Sequence, residues 1–196
     1  MYSFEYNPEP HAQLLRDLAT LYSNAAGASQ SQLAHRFACG EINTAQFLQG
    51  YAATPNNDDQ LPTIEEFERA WLSLTLPPSS AMMEIVKVVR SAGVRAALAS
   101  DVYPFEARLA RLWGRYNGFD RVFLSCELGM TKRQSQFFAL VLASFSAAPA
   151  RTLFIDDKEN CIKSAASVGI TTLLAEKGIF RHAADLAAGA AQIVLS

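Results

Sequence analysis

An α/β architecture, a parallel sheet accompanied by a small helical unit, follows from three observations on this chain. From about residue 92, apolar runs of strand length alternate with amphipathic stretches of helix length, which is the pattern of βαβ units on a parallel sheet. Before residue 80 the apolar side chains instead recur at helical spacing. A length of 196 residues accommodates one α/β domain and leaves room for a helical insertion.

Val94–Ser100, Arg121–Ser125, Thr152–Asp156 and Thr171–Ala175 read as strands, because each run is short, aliphatic or β-branched, and bounded by Gly, Asp or Pro. Between them lie predicted helices at Pro104–Trp113, Arg133–Phe145 and Lys158–Val168. Pro104 suits a first helical turn, and Gly93 and Gly169 stand where a helix stops. In the first eighty residues, Leu14, Leu15, Leu18 and Leu21 share one helical face, and Phe67, Trp71 and Leu74 share another. The polar stretch Thr54-Pro-Asn-Asn-Asp-Asp59 reads as a loop, and Leu76-Pro-Pro-Ser-Ser80 as a stiff boundary before a helix at Ala81–Ser91.

Half of the residues are hydrophobic and 18% are charged, so apolar material suffices for a core. The net charge is −2 with basic residues scattered, which leaves no footprint for nucleic acid. Runs such as Val94–Ala99 and Ile170–Ala175 fall far short of the about 20 residues of a membrane span, and no basic-then-apolar leader opens the sequence. The expectation is a cytoplasmic protein, alone or as a homodimer, that binds neither membrane nor nucleic acid. Cys39, Cys126 and Cys161 are far apart and lack a CxxC spacing, so three free thiols are expected rather than a disulfide framework or a zinc site.

The strongest local signal is Thr152-Leu-Phe-Ile-Asp-Asp-Lys-Glu-Asn160, an apolar strand that ends in two acids. Carboxylates at the C-terminal end of a parallel strand stand where open α/β sheets bind ligands. Asp156 and Asp157 there suit Mg²⁺, which takes one or two carboxylates and keeps waters for a phosphate. Taken alone, the pair also suits a helix cap beside a solvated acid. A second strand end, Ala96-Ala-Leu-Ala-Ser100-Asp101, places a hydroxyl able to bind a phosphate oxygen, although a lone Ser-Asp equally makes an ordinary N-cap. Leu128-Gly-Met-Thr-Lys132 sets a lysine after a glycine turn and before a helix, where its ammonium can neutralise phosphate or simply be solvated.

In order and spacing, Ala99-Ser100-Asp101, Cys126-Glu-Leu-Gly-Met-Thr-Lys132 and Phe154-Ile-Asp-Asp-Lys-Glu-Asn160, followed by Ala165-Ala-Ser-Val-Gly-Ile170, resemble motifs two, three and four of the haloacid dehalogenase-like (HAD) superfamily. The likeness is to the branch that holds α-glucose-1-phosphate phosphatases and the phosphatase domain of soluble epoxide hydrolases. Cys39-Gly-Glu-Ile-Asn-Thr-Ala-Gln-Phe47 resembles the cap of that branch, so the resemblance covers roughly residues 33 to 180. It implies a Rossmann-like parallel sheet of the HAD type, built from residues 1–8 and 79–196, with a helical cap at 9–78.

The resemblance assigns phosphoryl binding to Ser100 and Lys132, with Asp101 beside them, Mg²⁺ to Asp156 and Asp157, and bracing of the acidic loop to Asn160. Where the branch usually has Asn after the motif-two hydroxyl and Pro after the motif-three lysine, this chain has Asp101 and Arg133. Asp101 adds negative charge beside a phosphate site, which weakens anion binding unless a cation or proton compensates.

The larger departure is in the first motif, where the family carries a nucleophilic Asp and, two residues on, an acid/base Asp. Here the chain opens Met1-Tyr-Ser-Phe-Glu-Tyr-Asn-Pro, and the alignment sets Glu5 and Asn7 at those positions. Glu5 carries its carboxylate a methylene farther out and Asn7 cannot titrate. The resulting expectation is impaired catalysis with weak or absent Mg²⁺ and a role in binding or regulation, the partner being a small phosphorylated metabolite or another protein. An active Mg²⁺-dependent phosphatase acting on a small sugar phosphate is the alternative. Met1–Tyr6 is expected to form the central strand between those of motifs two and four, because a sheet does not leave its centre unpaired. A receiver-like signalling domain would need its acidic pair at the end of the first strand and does not fit.

Phe37, Phe47, Tyr51, Phe67 and Trp71 can line a substrate pocket, but their spacing favours a helix–helix core. His11, His35 and His182 share no motif, and a reactive role for Cys126 or Cys161 would need a lowered pKa.

Overall fold

The computed structural model describes residues 28–53, 61–74 and 80–175. Among the described residues the order opens with four helices: α1 (Ala28–Ala38), α2 (Thr44–Ala52), α3 (Ile64–Leu74) and α4 (Ser80–Ser91). Then strands and helices alternate as β1 (Ala97–Ser100), α5 (Pro104–Leu112), β2 (Arg121–Leu124), the one-turn α6 (Ser125–Leu128), α7 (Ser135–Phe145), β3 (Leu153–Asp156), α8 (Glu159–Ala166) and β4 (Thr171–Leu174). The switch from helical to βαβ periodicity therefore falls where the apolar spacing placed it. None of the described helices is long and apolar enough to cross a membrane.

All observed pairing is parallel: β1 runs beside β2 with Ser100 opposite Leu124, and β3 beside β4 with Asp156 opposite Leu174. β1 and β3 are not neighbours in either ladder. The expected central strand Met1–Tyr6 lies outside the described residues, as does part of the expected cap at 9–78. β1 begins later than its apolar run because Gly93, at φ +82°, ends α4 and Ala96 is held by Asp120 before the ladder starts. That aspartate accepts the Ala96 N–H and also the Nε–H and an Nη2–H of Arg90, so the end of α4 is tied to the start of β2.

The sheet-side core gathers Phe123, Phe137, Phe138, Leu142, Ala165 and Ile170, with Phe138 edge-on to Phe154 at 4.7 Å. A second core joins the first three helices to the start of α5 through Phe37, Phe47, Phe67, Trp71, Tyr103 and Phe105. Phe37 stacks on Tyr103 at 4.3 Å and on Phe47 at 4.7 Å. The aromatic residues of the helical half are therefore packing residues, as their spacing favoured. α2 starts where it does because Asn43 accepts the Gln46 N–H while the Gln46 side chain accepts the Asn43 N–H, a reciprocal capping box.

The turn between α1 and α2 depends on Gly40, which adopts φ +70° with its Cα against the backbone of Cys126. An added Cβ would lie 2.2 Å from the Cys126 carbonyl oxygen. Gly40→Ala is therefore expected to cost about 2–3 kcal/mol, from left-handed strain together with backbone displacement. Urea unfolding measures it, and a change below about 0.5 kcal/mol would mean that the turn relaxes freely.

Candidate functional site

Parallel strands deliver their C-terminal ends to one edge of a sheet, and the residues singled out by sequence follow those ends. Ser100 closes β1, Asp101 follows it, Asp156 closes β3, and Lys132 lies in the loop between α6 and α7. That loop is set by Gly129, at φ +69°, which ends α6 in the left-handed conformation.

Three of these side chains form one chain of interactions. The Lys132 ammonium donates to Asp156 Oδ2 at 2.6 Å, and only 13% of the lysine side chain and 6% of the aspartate side chain are exposed. The Lys132 backbone N–H donates to Asp101 Oδ1 at 2.9 Å, which fastens the motif-three loop to the end of β1. Asp156 Oδ1 accepts the Lys158 backbone N–H at 2.8 Å. Burial pulls the Lys132 ammonium down, but the Asp156 carboxylate overrides it and holds the group above the ordinary lysine value. At Asp101, burial pushes the carboxyl up and the Lys132 charge only partly offsets this, so it stays above the usual carboxylate value.

Asp157 and Asn160 do not join this chain. The Asp157 carboxylate is 66% exposed, 3.2 Å from Lys158 Nζ. Asn160 is exposed in the first turn of α8, two residues beyond the Lys158 N–H that Asp156 Oδ1 accepts. Glu5 and Asn7 lie outside the described residues.

The Mg²⁺ expected on Asp156 and Asp157 would meet one buried and one exposed carboxylate among the described residues. Each Asp156 oxygen already accepts an N–H, one of them from an ammonium, and Asp157 faces solvent. Among the described residues no group of three or more His, Cys, Asp or Glu is placed to hold a metal. Each Asp156 oxygen keeps a second lone pair, so Asp156 and Asp157 are the described residues that would hold a Mg²⁺ completing its shell with water and phosphate.

Two polar residues at this end of the fold carried no functional expectation. Ser125 is fully buried, donating to the Ala38 carbonyl at 2.7 Å and accepting the Val102 N–H at 3.0 Å, so its hydroxyl links α1 to the loop after β1. A lone serine after an apolar run gives no signal of this. Glu106 accepts the Trp71 indole N–H at 2.7 Å and the Tyr103 N–H at 2.8 Å, pinning α3 to the start of α5. Burial pushes its carboxyl above the ordinary glutamate value. Its place in the first turn of the Pro104 helix was a readable signal, its partner Trp71 was not. Burial pushes the thiols of Cys39, Cys126 and Cys161 up to about 11, the opposite of an activated cysteine.

Comparison with known proteins agrees with this geometry. A family model described as haloacid dehalogenase-like hydrolase matches residues 9–169. Among curated proteins the chain is 26% identical over 144 residues to acyl-CoA dehydrogenase family member 10 of Mus musculus, a match covering 72% of this chain and 14% of that protein. It is 27% identical over 99 residues to a sesquiterpene phosphatase of Aspergillus oryzae, covering 50% of each chain. The chain thus spans half or less of the length of these relatives. A HAD family enzyme from Bacteroides thetaiotaomicron superposes with a TM-score of 0.67 at 19% identity, covering 87% of this chain and 84% of that one. The same enzyme has been solved in complex with magnesium and inorganic phosphate. A predicted HAD-like hydrolase from Porphyromonas gingivalis gives a TM-score of 0.67 at 20% identity, over 87% of this chain and 88% of that one.

Proposed function

This chain belongs to the haloacid dehalogenase-like hydrolase family, and from that premise we propose that it binds the phosphoryl group of a small metabolite with strongly impaired turnover, serving in binding or regulation. The observation that carries the reading is the Asp101–Lys132–Asp156 chain, which keeps the family's lysine at the sheet edge while each oxygen of Asp156 accepts one N–H. Ser100, at the end of β1 beside Asp101, supplies a hydroxyl and a backbone N–H for a phosphoryl oxygen. The Lys132 ammonium supplies charge, exchanging part of its bond to Asp156 for the ligand.

Turnover further needs a carboxylate to attack phosphorus and an acid to protonate the leaving oxygen. The resemblance sets Glu5 and Asn7 at those positions, and the family match begins after them, at residue 9. A displacement of about 1 Å in a reacting group costs about 10²-fold, and the loss of a positioned acid or base about 10²–10⁴-fold. Native protein is therefore expected to hydrolyse p-nitrophenyl phosphate near background, and Glu5→Asp combined with Asn7→Asp to raise the rate by about 10²-fold or more. Robust native turnover that survives Glu5→Ala would instead support the active phosphatase and sink the impaired reading.

A further inference from the structure

Among the described side chains, and before any cation is bound, charge at this site is out of balance for a phosphate dianion. Lys132 brings one positive charge, already 2.6 Å from Asp156 Oδ2, and the two largely cancel. Asp101 is then the surplus anion, with its Oδ1 on the Lys132 backbone N–H at 2.9 Å. The Lys132 backbone N–H is given to Asp101, and one of the three ammonium N–H donors to Asp156, so what the lysine still offers an incoming oxyanion is its remaining ammonium hydrogens. Arg133 also acts on Asp101, but from an exposed position where water screens it. In the partly buried cluster, repulsion between like charges is much less screened.

Resting on the phosphoryl-binding reading above, we propose that Asp101 is a specificity-determining residue, a resident anion on the Lys132 loop that makes the site select monoanionic phosphoryl groups, as in phosphodiesters, over phosphate dianions. The repulsion from one fixed carboxylate scales with ligand charge, so a dianion meets about twice the opposition of a monoanion. Asp101 occupies the position at which the resembled branch usually carries Asn. An amide there would still accept the Lys132 N–H through its carbonyl, so charge and hydrogen bond are separable by substitution.

Calorimetric titration of the full chain at mildly alkaline pH, where inorganic phosphate is the dianion and Lys132 stays charged, with inorganic phosphate and with dimethyl phosphate gives the ratio of the two affinities. Native protein is expected to bind dimethyl phosphate at least as tightly as phosphate. Asp101→Asn should tighten phosphate binding about tenfold while moving dimethyl phosphate by less than about threefold. Asp101→Glu, which keeps the charge, should leave the ratio as in the native protein, a distinction that a purely structural role for Asp101 would not produce. Should Asp101→Asn fail to fold, Asp101→Ser removes the same charge and is read in the same way. A native-like ratio in the folded neutral variant, or no measurable phosphate binding by it, overturns the proposal. Rapid hydrolysis of p-nitrophenyl phosphate by the native protein would remove the impaired-turnover reading and leave the affinity ratio untouched, so the two failures are distinguishable.

Discussion

Lys132→Met is expected to lower folding stability by about 3–5 kcal/mol, because removing one member of a buried ion pair leaves the other charge without its counterion. Asp156 is 9% exposed and would keep only the Lys158 N–H on Oδ1. Methionine fills much of the lysine stem's volume, so the loss measures charge rather than a cavity. Adding Asp156→Asn should restore most of the stability, since the buried charge is then gone and the amide oxygen still accepts the Lys158 N–H. Urea unfolding of the two single variants and the double variant closes the cycle. A single-variant loss under about 1 kcal/mol would place the pair in solvent and undo the site geometry. The pH dependence has a definite sign: Lys132 is held above its ordinary value of 10.5. Its contribution is complete below that pH and is lost as pH rises through the folded-state value.

Phe37→Ala should be of similar size, about 3–5 kcal/mol, for a different reason. Phe37 is fully buried at the centre of a ring cluster, with Tyr103 at 4.3 Å, Phe47 at 4.7 Å and Phe105 at 6.1 Å. Truncation removes apolar burial and leaves a void that rigid neighbouring rings cannot close. Because Tyr103 and Phe105 come from the start of α5, the loss should also loosen the helical unit from the sheet, visible as weakened near-ultraviolet circular dichroism. Phe37→Leu, which refills most of the volume, should cost markedly less. Equal losses for the two variants would show that ring contact, not filled volume, holds this interface.

The parallel α/β layout was legible because its cause is periodic: strand-length apolar runs ending in Asp or Ser recur with amphipathic helices between them. The same periodicity marked Phe67 and Trp71 as packing residues. Less legible were the ends of elements, where one hydrogen bond decides. Ser125, expected to close a strand, begins a helical turn, and β1 starts at Ala97 because Asp120 takes the Ala96 N–H.

Sequence order alone set Ser100, Lys132 and Asp156 at the loop edge of a parallel sheet, since strand direction and βαβ connection fix which end of each strand a ligand meets. Which of these side chains touch was decided only by folding. The Lys132–Asp156 pair joins residues 24 apart, and Trp71–Glu106 joins residues 35 apart. Such pairings depend on rotamers and burial at an interface that no local spacing encodes. Asp156 and Asp157 are neighbours in sequence, yet Asp156 closes β3 and Asp157 lies in the bend that follows, and here one is buried against an ammonium while the other meets solvent. That divergence, with Asp101 fastened to the Lys132 backbone, gives the site its charge balance, because burial removes the screening that makes exposed charges nearly interchangeable.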